Sequence, residues 1–181
     1  MADKKKTNGA KAAQTNGASA NSQKGQGAFK LQSQFINDLS FECPQPPAHL
    51  GQYKNNMHMD VGVQSKPAKN PNAEADDKAD TYEVTLTLRG HNKTDDGTTV
   101  YLLEMKYSGL FALEGIPAEH KGGLLGVEAP SLLYPFARQL FMSTVAGSGF
   151  QPPLLEPINF AAVYMQQQQK AQQAGQQQVT N

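Results

Sequence analysis

The stretch that decides the fold runs from Thr98 to Phe111 and reads TTVYLLEMKYSGLF. Side chains of a β-strand point to opposite faces with period two. Tyr101, Leu103, Met105 and Tyr107 therefore share one face, and Val100, Leu102, Glu104 and Lys106 the other. The first face is wholly apolar and aromatic and demands cover. The second is mixed, with Leu102 two residues from Glu104. Apolar residues beside carboxylates suit a docking surface, although scattered apolar residues are also ordinary on solvated faces.

Working outward, HNKTDDG (91–97) precedes this strand and carries Asp96-Gly97, which supplies the positive φ of a tight turn. Before it, Tyr82, Val84, Leu86 and Leu88 alternate with Glu83, Thr85 and Thr87 as a further strand. Met57, Met59, Val61 and Val63 alternate with His58, Asp60 and Gly62 as another, and the two are joined by a polar loop, 65–80. The first strand is FKLQSQFINDLSFE (29–42). Its apolar phase shifts at Phe35 and Ile36, as a bulge requires, which sets Asp38 beside the break and Glu42 further along. Pro44, Pro46 and Pro47 exclude helix and central strand from the link that follows. Short connections favour an antiparallel meander.

Beyond Phe111 the period changes. A Gly-containing connector, 112–126, has room for one helical turn after Pro117. Ser131 is read as the cap of a helix. Its apolar side is Leu132 or Leu133, Phe136, Leu140 and Thr144, with Ala137, Phe141 and Val145 beside it. Gly147 and Gly149 end it. A proline-held link leads to a last helix capped by Asn159 and carrying Phe160, Val163 and Tyr164. Four strands followed by helices predict an α+β protein, a four-stranded antiparallel sheet with helices packed on one face.

Composition sets the limits of this body. Residues 1–28 hold no aromatic, Leu, Ile or Val, and residues 166–181 are mostly Gln. Neither segment buries enough surface to offset the entropy of ordering. The predicted division is a disordered lysine-containing tail (1–28), a folded domain (29–165) and a Gln-rich mobile tail (166–181). The overall charge of zero hides an asymmetry: five lysines stand against Asp3 alone in 1–28, leaving eleven basic and fifteen acidic residues in 29–181. An acidic body argues against nucleic acid as its partner. No apolar run approaches the length that spans a bilayer. The N-terminal lysines lead into no apolar segment of a signal peptide. With one cysteine, Cys43, no internal disulfide forms. A cytoplasmic protein is expected.

Catalytic signatures are absent. His49, His58, His91 and His120 lie far apart, His91 in the expected hairpin turn, and none has metal-ligand spacing or a patterned relation to Cys43. There is no phosphate loop and no nucleophile elbow. Neither catalytic residue, metal nor cofactor is expected. What stands out is the supply of apolar surface: a small sheet with two-faced strands and open edges predicts self-association into a closed homo-oligomer.

From Phe29 to Met165 the chain resembles the SecB family, bacterial protein-export chaperones. The resemblance rests on Ser108-Gly109-Leu110-Phe111 with Glu114-Gly115-Ile116, on Leu133-Tyr134-Pro135-Phe136-Ala137-Arg138, and on Phe150 to Pro153 leading to Pro157-Ile158-Asn159-Phe160. These occur in order, with Asp38-x-Ser40-Phe41-Glu42 upstream. The resemblance implies a homotetramer, a dimer of dimers, that keeps precursor proteins unfolded without ATP and delivers them to the motor SecA. Asp38, Glu42, Leu102 and Glu104 match the family's SecA-docking positions. There the partner segment is SecA's zinc-bound C-terminal tail, and the zinc is SecA's own. Tyr101, Leu103, Met105 and Tyr107 are similar to positions of the family's client groove or oligomer face, or are ordinary core. The chain departs from the family in having no Trp, in the link around 51–56, and in its lysine-bearing tail and loop 65–80. An adaptor for one folded or peptide partner, using the same acidic-apolar face, is the other reading. An enzyme built on Cys43 and a histidine is the third.

Overall fold

The computed structural model describes residues 27–44, 56–69 and 80–177. Nearly all of the lysine tail, most of the proline link with the divergent positions 51–55, and most of the polar loop lie outside the described residues. Four strands, β1 (Ala28–Glu42), β2 (Met57–Pro67), β3 (Asp80–Lys93) and β4 (Thr99–Glu114), form one antiparallel sheet. They are followed by α1 (Ala118–Gly123), a π-helical turn (Leu124–Glu128), α2 (Ala129–Gly147) and α3 (Phe160–Gln177). The α+β prediction holds.

The strand order is β1-β4-β3-β2, not the sequential meander expected. Two hairpins join β2, β3 and β4, while β1 lies on the far side of β4. The fourteen residues between β1 and β2 therefore link opposite edges of the sheet, as in a Greek key. At fourteen residues that connection is long enough to cross the sheet, so β1 and β2 need not be neighbours. It leaves β4 in the interior, paired over most of its length with both β1 and β3. β4 is thus the strand with most to bury on its first face.

That face is covered as its sequence demands. Tyr101, Leu103 and Met105 are 0–1% exposed and Tyr107 9%. β3 adds Val84, Leu86 and Leu88, all fully buried. The cover is α2, whose buried stripe is Leu133, Ala137, Phe141 and Val145 at helical spacing. The expected stripe is one residue out of phase: Leu132 and Phe136 are 47% and 51% exposed. Gly90 makes room for α2, because a Cβ there would lie 2.5 Å from the Phe141 ring. Phe41, Tyr101 and Phe150 close one end of the core with ring centroids 5.1–6.1 Å apart.

Ser131 is not a cap. Helical structure runs without a break from Ala118 to Gly147, and the Ser131 hydroxyl donates to the Val127 carbonyl one turn back. The wide turn directly precedes Pro130, which has no N–H to give and whose ring disturbs an α-turn. The helix ends as predicted: Gly149 adopts φ 86°, its N–H reaches the Ala146 carbonyl, and the Phe150 N–H reaches Val145. Asn159 caps α3, its side-chain oxygen accepting from the Ala162 N–H at 3.1 Å. α3 continues past residue 165 through the glutamines to Gln177, so the boundary expected at 165 is no break in the helix.

The bulge in β1 also appears, with register shifts between Leu31 and Ser33 and between Ile36 and Asp38. β2 runs on to Pro67, beyond the start assigned to the loop. Its proline is tolerated because β2 is an edge strand. His91 lies in β3 rather than in the turn, which spans Thr94 to Gly97 with Gly97 at φ 87°.

Candidate functional site

α2 covers one face of the sheet; on the other, among the described residues, Gln167 of α3 reaches a pocket that it shares with Thr85, Thr87, Arg89 and Lys106, and the rows of β4 beyond it stay open. Residues directly opposite across an antiparallel pair project to the same side. Leu102 stands between Glu42 on β1 and His91 on β3, Glu104 between Ser40 and Arg89, and Lys106 between Asp38 and Thr87. The four positions Asp38, Glu42, Leu102 and Glu104 are therefore brought together in three successive rows of one open face. The bulge before Asp38 is what returns β1 to this register after Ile36. Leu102 and Glu104 are half-buried, Asp38 and Glu42 exposed.

Beneath Leu102 lies a recess of about 100 Å³ lined by Ser40, Glu42, Arg89, His91, Leu102 and Glu104. Its size suits one side chain, with carboxylates on the rim to hold a cationic neighbour. Among the described residues Glu42 makes no ion pair. The other two carboxylates are already engaged. Arg89 Nη2 donates to Glu104 Oε1 at 3.1 Å. Lys106 Nζ donates to Asp38 Oδ2 at 3.3 Å and lies 3.7 Å from Glu104. The hydrogen bond from Arg89 holds the Glu104 carboxyl below its ordinary range, helped by the charges of Arg89 and Lys106. The same bond raises Arg89. Next along, Asp60 on β2 faces His58 at 3.5 Å and His91 at 3.9 Å.

Arg89, Lys106, His91 and Ser40 were not singled out as site residues. A register count could have found Arg89 opposite Glu104, since both sit on alternating strands joined by a hairpin. The register shifts between Asn92 and Lys93, where Val100 is the extra residue on β4, so a count carried back from the turn slips by one and sets Arg89 opposite Leu103.

The other four predicted positions, Tyr101, Leu103, Met105 and Tyr107, lie under α2 in the core of the chain. Tyr107 lines a groove with Phe35, Ile36, Phe136 and Leu140. This groove lies between the edge strand β1 and α2. On the helix side of β1, Leu31, Ile36 and Leu39 are 36–48% exposed, and Ile36 shares the groove with the exposed Phe136 of α2. Among the described residues β1 pairs with β4 alone, which leaves one backbone edge of this fifteen-residue strand unpaired by them. Apolar residues and an unpaired edge coincide here.

Among the described residues no group of three His, Cys, Asp or Glu side chains is placed to hold a metal ion. Cys43 follows β1 half-buried, and His49 lies outside the described residues. No helix among the described residues is long and apolar enough to cross a membrane.

The family model described as "Preprotein translocase subunit SecB" matches residues 22–171. The chain is similar to the protein-export protein SecB of Zymomonas mobilis, 41% identical over 75% of this chain and 77% of that one. It is 39% identical to that of Neisseria meningitidis serogroup B over 83% of this chain and 96% of that one. Magnetococcus marinus SecB is 36% identical, with 81% and 89% covered. Among solved structures, the fold resembles a SecB-like chaperone of Mycobacterium tuberculosis in complex with an antitoxin peptide. That match has TM-score 0.50 and 15% identity over 72% of this chain and 90% of that one.

Proposed function

Because this chain belongs to the SecB family of protein-export chaperones, we propose that it keeps precursor proteins unfolded in the cytoplasm and hands them to the translocation motor SecA. It does so without ATP, cofactor or catalytic step. The observation that carries this reading, beside the family match, is the coincidence of exposed apolar side chains with an open strand edge along β1 and α2. An unfolded chain differs from a folded one in presenting apolar side chains and unpaired backbone. A surface offering both selects that state with little regard to sequence. Many weak contacts along one client then add up to avidity.

Two copies join through part of the β1 and α2 surface, with Ile36 and its cross-strand neighbour Tyr107 in the seam, and two such dimers form the tetramer. Clients bind to the part of that surface which assembly leaves open. Tyr101, Leu103 and Met105 act from beneath, by holding α2 and β4 in place. On the opposite face, Asp38, Glu42, Leu102 and Glu104 receive SecA through its zinc-bound C-terminal tail: Leu102 and its recess take an apolar side chain, and the carboxylates take cations.

The test is Glu104→Lys. The variant is expected to keep the oligomer of the wild type, because Glu104 is on the solvent face, and to bind SecA at least tenfold more weakly, since truncating or reversing a charge contact at an interface costs on the order of 2 kcal/mol or more. Wild-type affinity for SecA in this variant removes the docking site from these strands.

A further inference from the structure

We propose that Arg89 and Lys106 are internal competitors for the docking face: they occupy Glu104 and Asp38 in the free protein and must be displaced by the cations of the incoming partner. This rests on the docking reading above and extends it to the site's selectivity. A chain of alternating charge crosses the sheet, from Asp60 on β2 through Arg89 on β3 and Glu104 and Lys106 on β4 to Asp38 on β1. Its contacts are 3.1 Å from Arg89 to Glu104, 3.7 Å from Lys106 to Glu104 and 3.3 Å from Lys106 to Asp38. Both cations are long, flexible and substantially exposed, with 52% and 40% of their side-chain surface open. They can swing into solvent without disturbing the core, which lies on the other face.

Docking is then an exchange of one cation for another, and charge alone gains little by it. A basic stretch of a client, of the kind any unfolded precursor presents, meets a face already neutralised. A partner gains only if it also fills the recess at Leu102, where Glu42 is still unpaired among the described residues. The two cations thus set the threshold that keeps clients off the handover face. The occupant this favours is a short cationic segment that carries one apolar side chain in register with Leu102.

The experiment is calorimetric titration of the intact oligomer with the zinc-loaded C-terminal tail of SecA, in wild type, Arg89→Gln, Lys106→Gln, Glu104→Gln and the double variant Arg89→Gln/Glu104→Gln. Lys30→Gln is the charge-matched control. It sits on β1 opposite Ala112, eight residues from Asp38 and so roughly 26 Å away, beyond the screening length at physiological salt. Freeing a carboxylate from an exposed ion pair is worth about a two- to fivefold gain in affinity. Arg89→Gln and Lys106→Gln should tighten binding by that factor, Lys30→Gln should not, and the gain from Arg89→Gln should vanish when Glu104 is also Gln. A lysine-rich peptide with no apolar residue should gain at least as much from Arg89→Gln as the tail does. If Glu104→Gln weakens binding but Arg89→Gln weakens it too, or leaves it unchanged, Arg89 orients Glu104 and is no competitor, and the proposal is overturned. If Glu104→Gln binds as wild type, the docking face itself is wrong and the proposal falls with it.

Discussion

Glu104 shows how the neighbours of one side chain set its charge state. The Arg89 hydrogen bond holds its carboxyl below the ordinary range, helped by the charges of Arg89 and Lys106. The sign follows from linkage. A depressed carboxyl contributes stability at any pH above its unfolded value, about 4.3, and loses it as pH falls through the lower folded value. Carboxyl-carbon NMR is expected to place the Glu104 midpoint below that of ordinary glutamates, and Arg89→Gln to move it upward. A midpoint unmoved by Arg89→Gln would mean that the pair is not formed in solution. At this scale the sequence was legible where residues matched a known pattern. Asp38, Glu42, Leu102 and Glu104 do come together on one face. The cations that engage two of these carboxylates were not legible, because pairing across strands depends on a register that one irregular residue shifts.

At the scale of elements, α2 holds the account together. Its inner stripe is anchored by Phe141, fully buried over Gly90. Phe141→Ala should cost about 3–5 kcal/mol, measured by chemical denaturation, through lost burial and the cavity left behind. Both partners of this contact are in the sequence, but the phase of α2 was misread by one residue. A break was assumed at Ser131, whereas the helix arrives already wound through the wide turn before Pro130. The exposed Leu132 and Phe136 are the visible consequence: apolar residues that look like core and belong instead to an outer surface.

α3 depends on a second glycine contact. Tyr164 lies so close to the π-helical turn that a Cβ on Gly126 would fall 2.3 Å from its ring, and one on Gly122 2.6 Å from its hydroxyl. Gly126→Ala should therefore lift α3 and cost about 1–3 kcal/mol of its docking. Hydrogen exchange is expected to quicken across Phe160 to Met165 while β3 and β4 keep their protection. Unchanged exchange there would mean that α3 is held by Phe160 alone, whose ring meets Tyr134 edge-on at 5.8 Å.

For the whole molecule, the two faces of one strand divide the work. The covered face of β4 builds the core with α2, and the open face gathers the charged positions. The Greek-key order puts β1 beside β4 and so joins the two sets of predicted SecA positions; a meander would have left them on opposite edges. That order was not legible from link lengths, whereas the α+β class, the bulge, the glycine end of α2 and the N-cap of α3 were, because each rests on local chemistry. Apolar side chains left exposed along β1 are surplus to a single chain. Ile36→Asp, at a position 48% exposed, should leave the far-UV circular dichroism of the protomer intact while lowering the native mass. A full-size oligomer in this variant would place the interface elsewhere.

The central claim is that the assembled protein captures clients because they are unfolded. Native mass spectrometry tests it most directly, with the purified protein alone and with one precursor added either folded or freshly diluted from denaturant. A tetramer that binds only the precursor diluted from denaturant is expected. A monomer, or an oligomer that takes the folded precursor equally well, would contradict it and leave a protein with the family's fold acting as an adaptor for a folded partner.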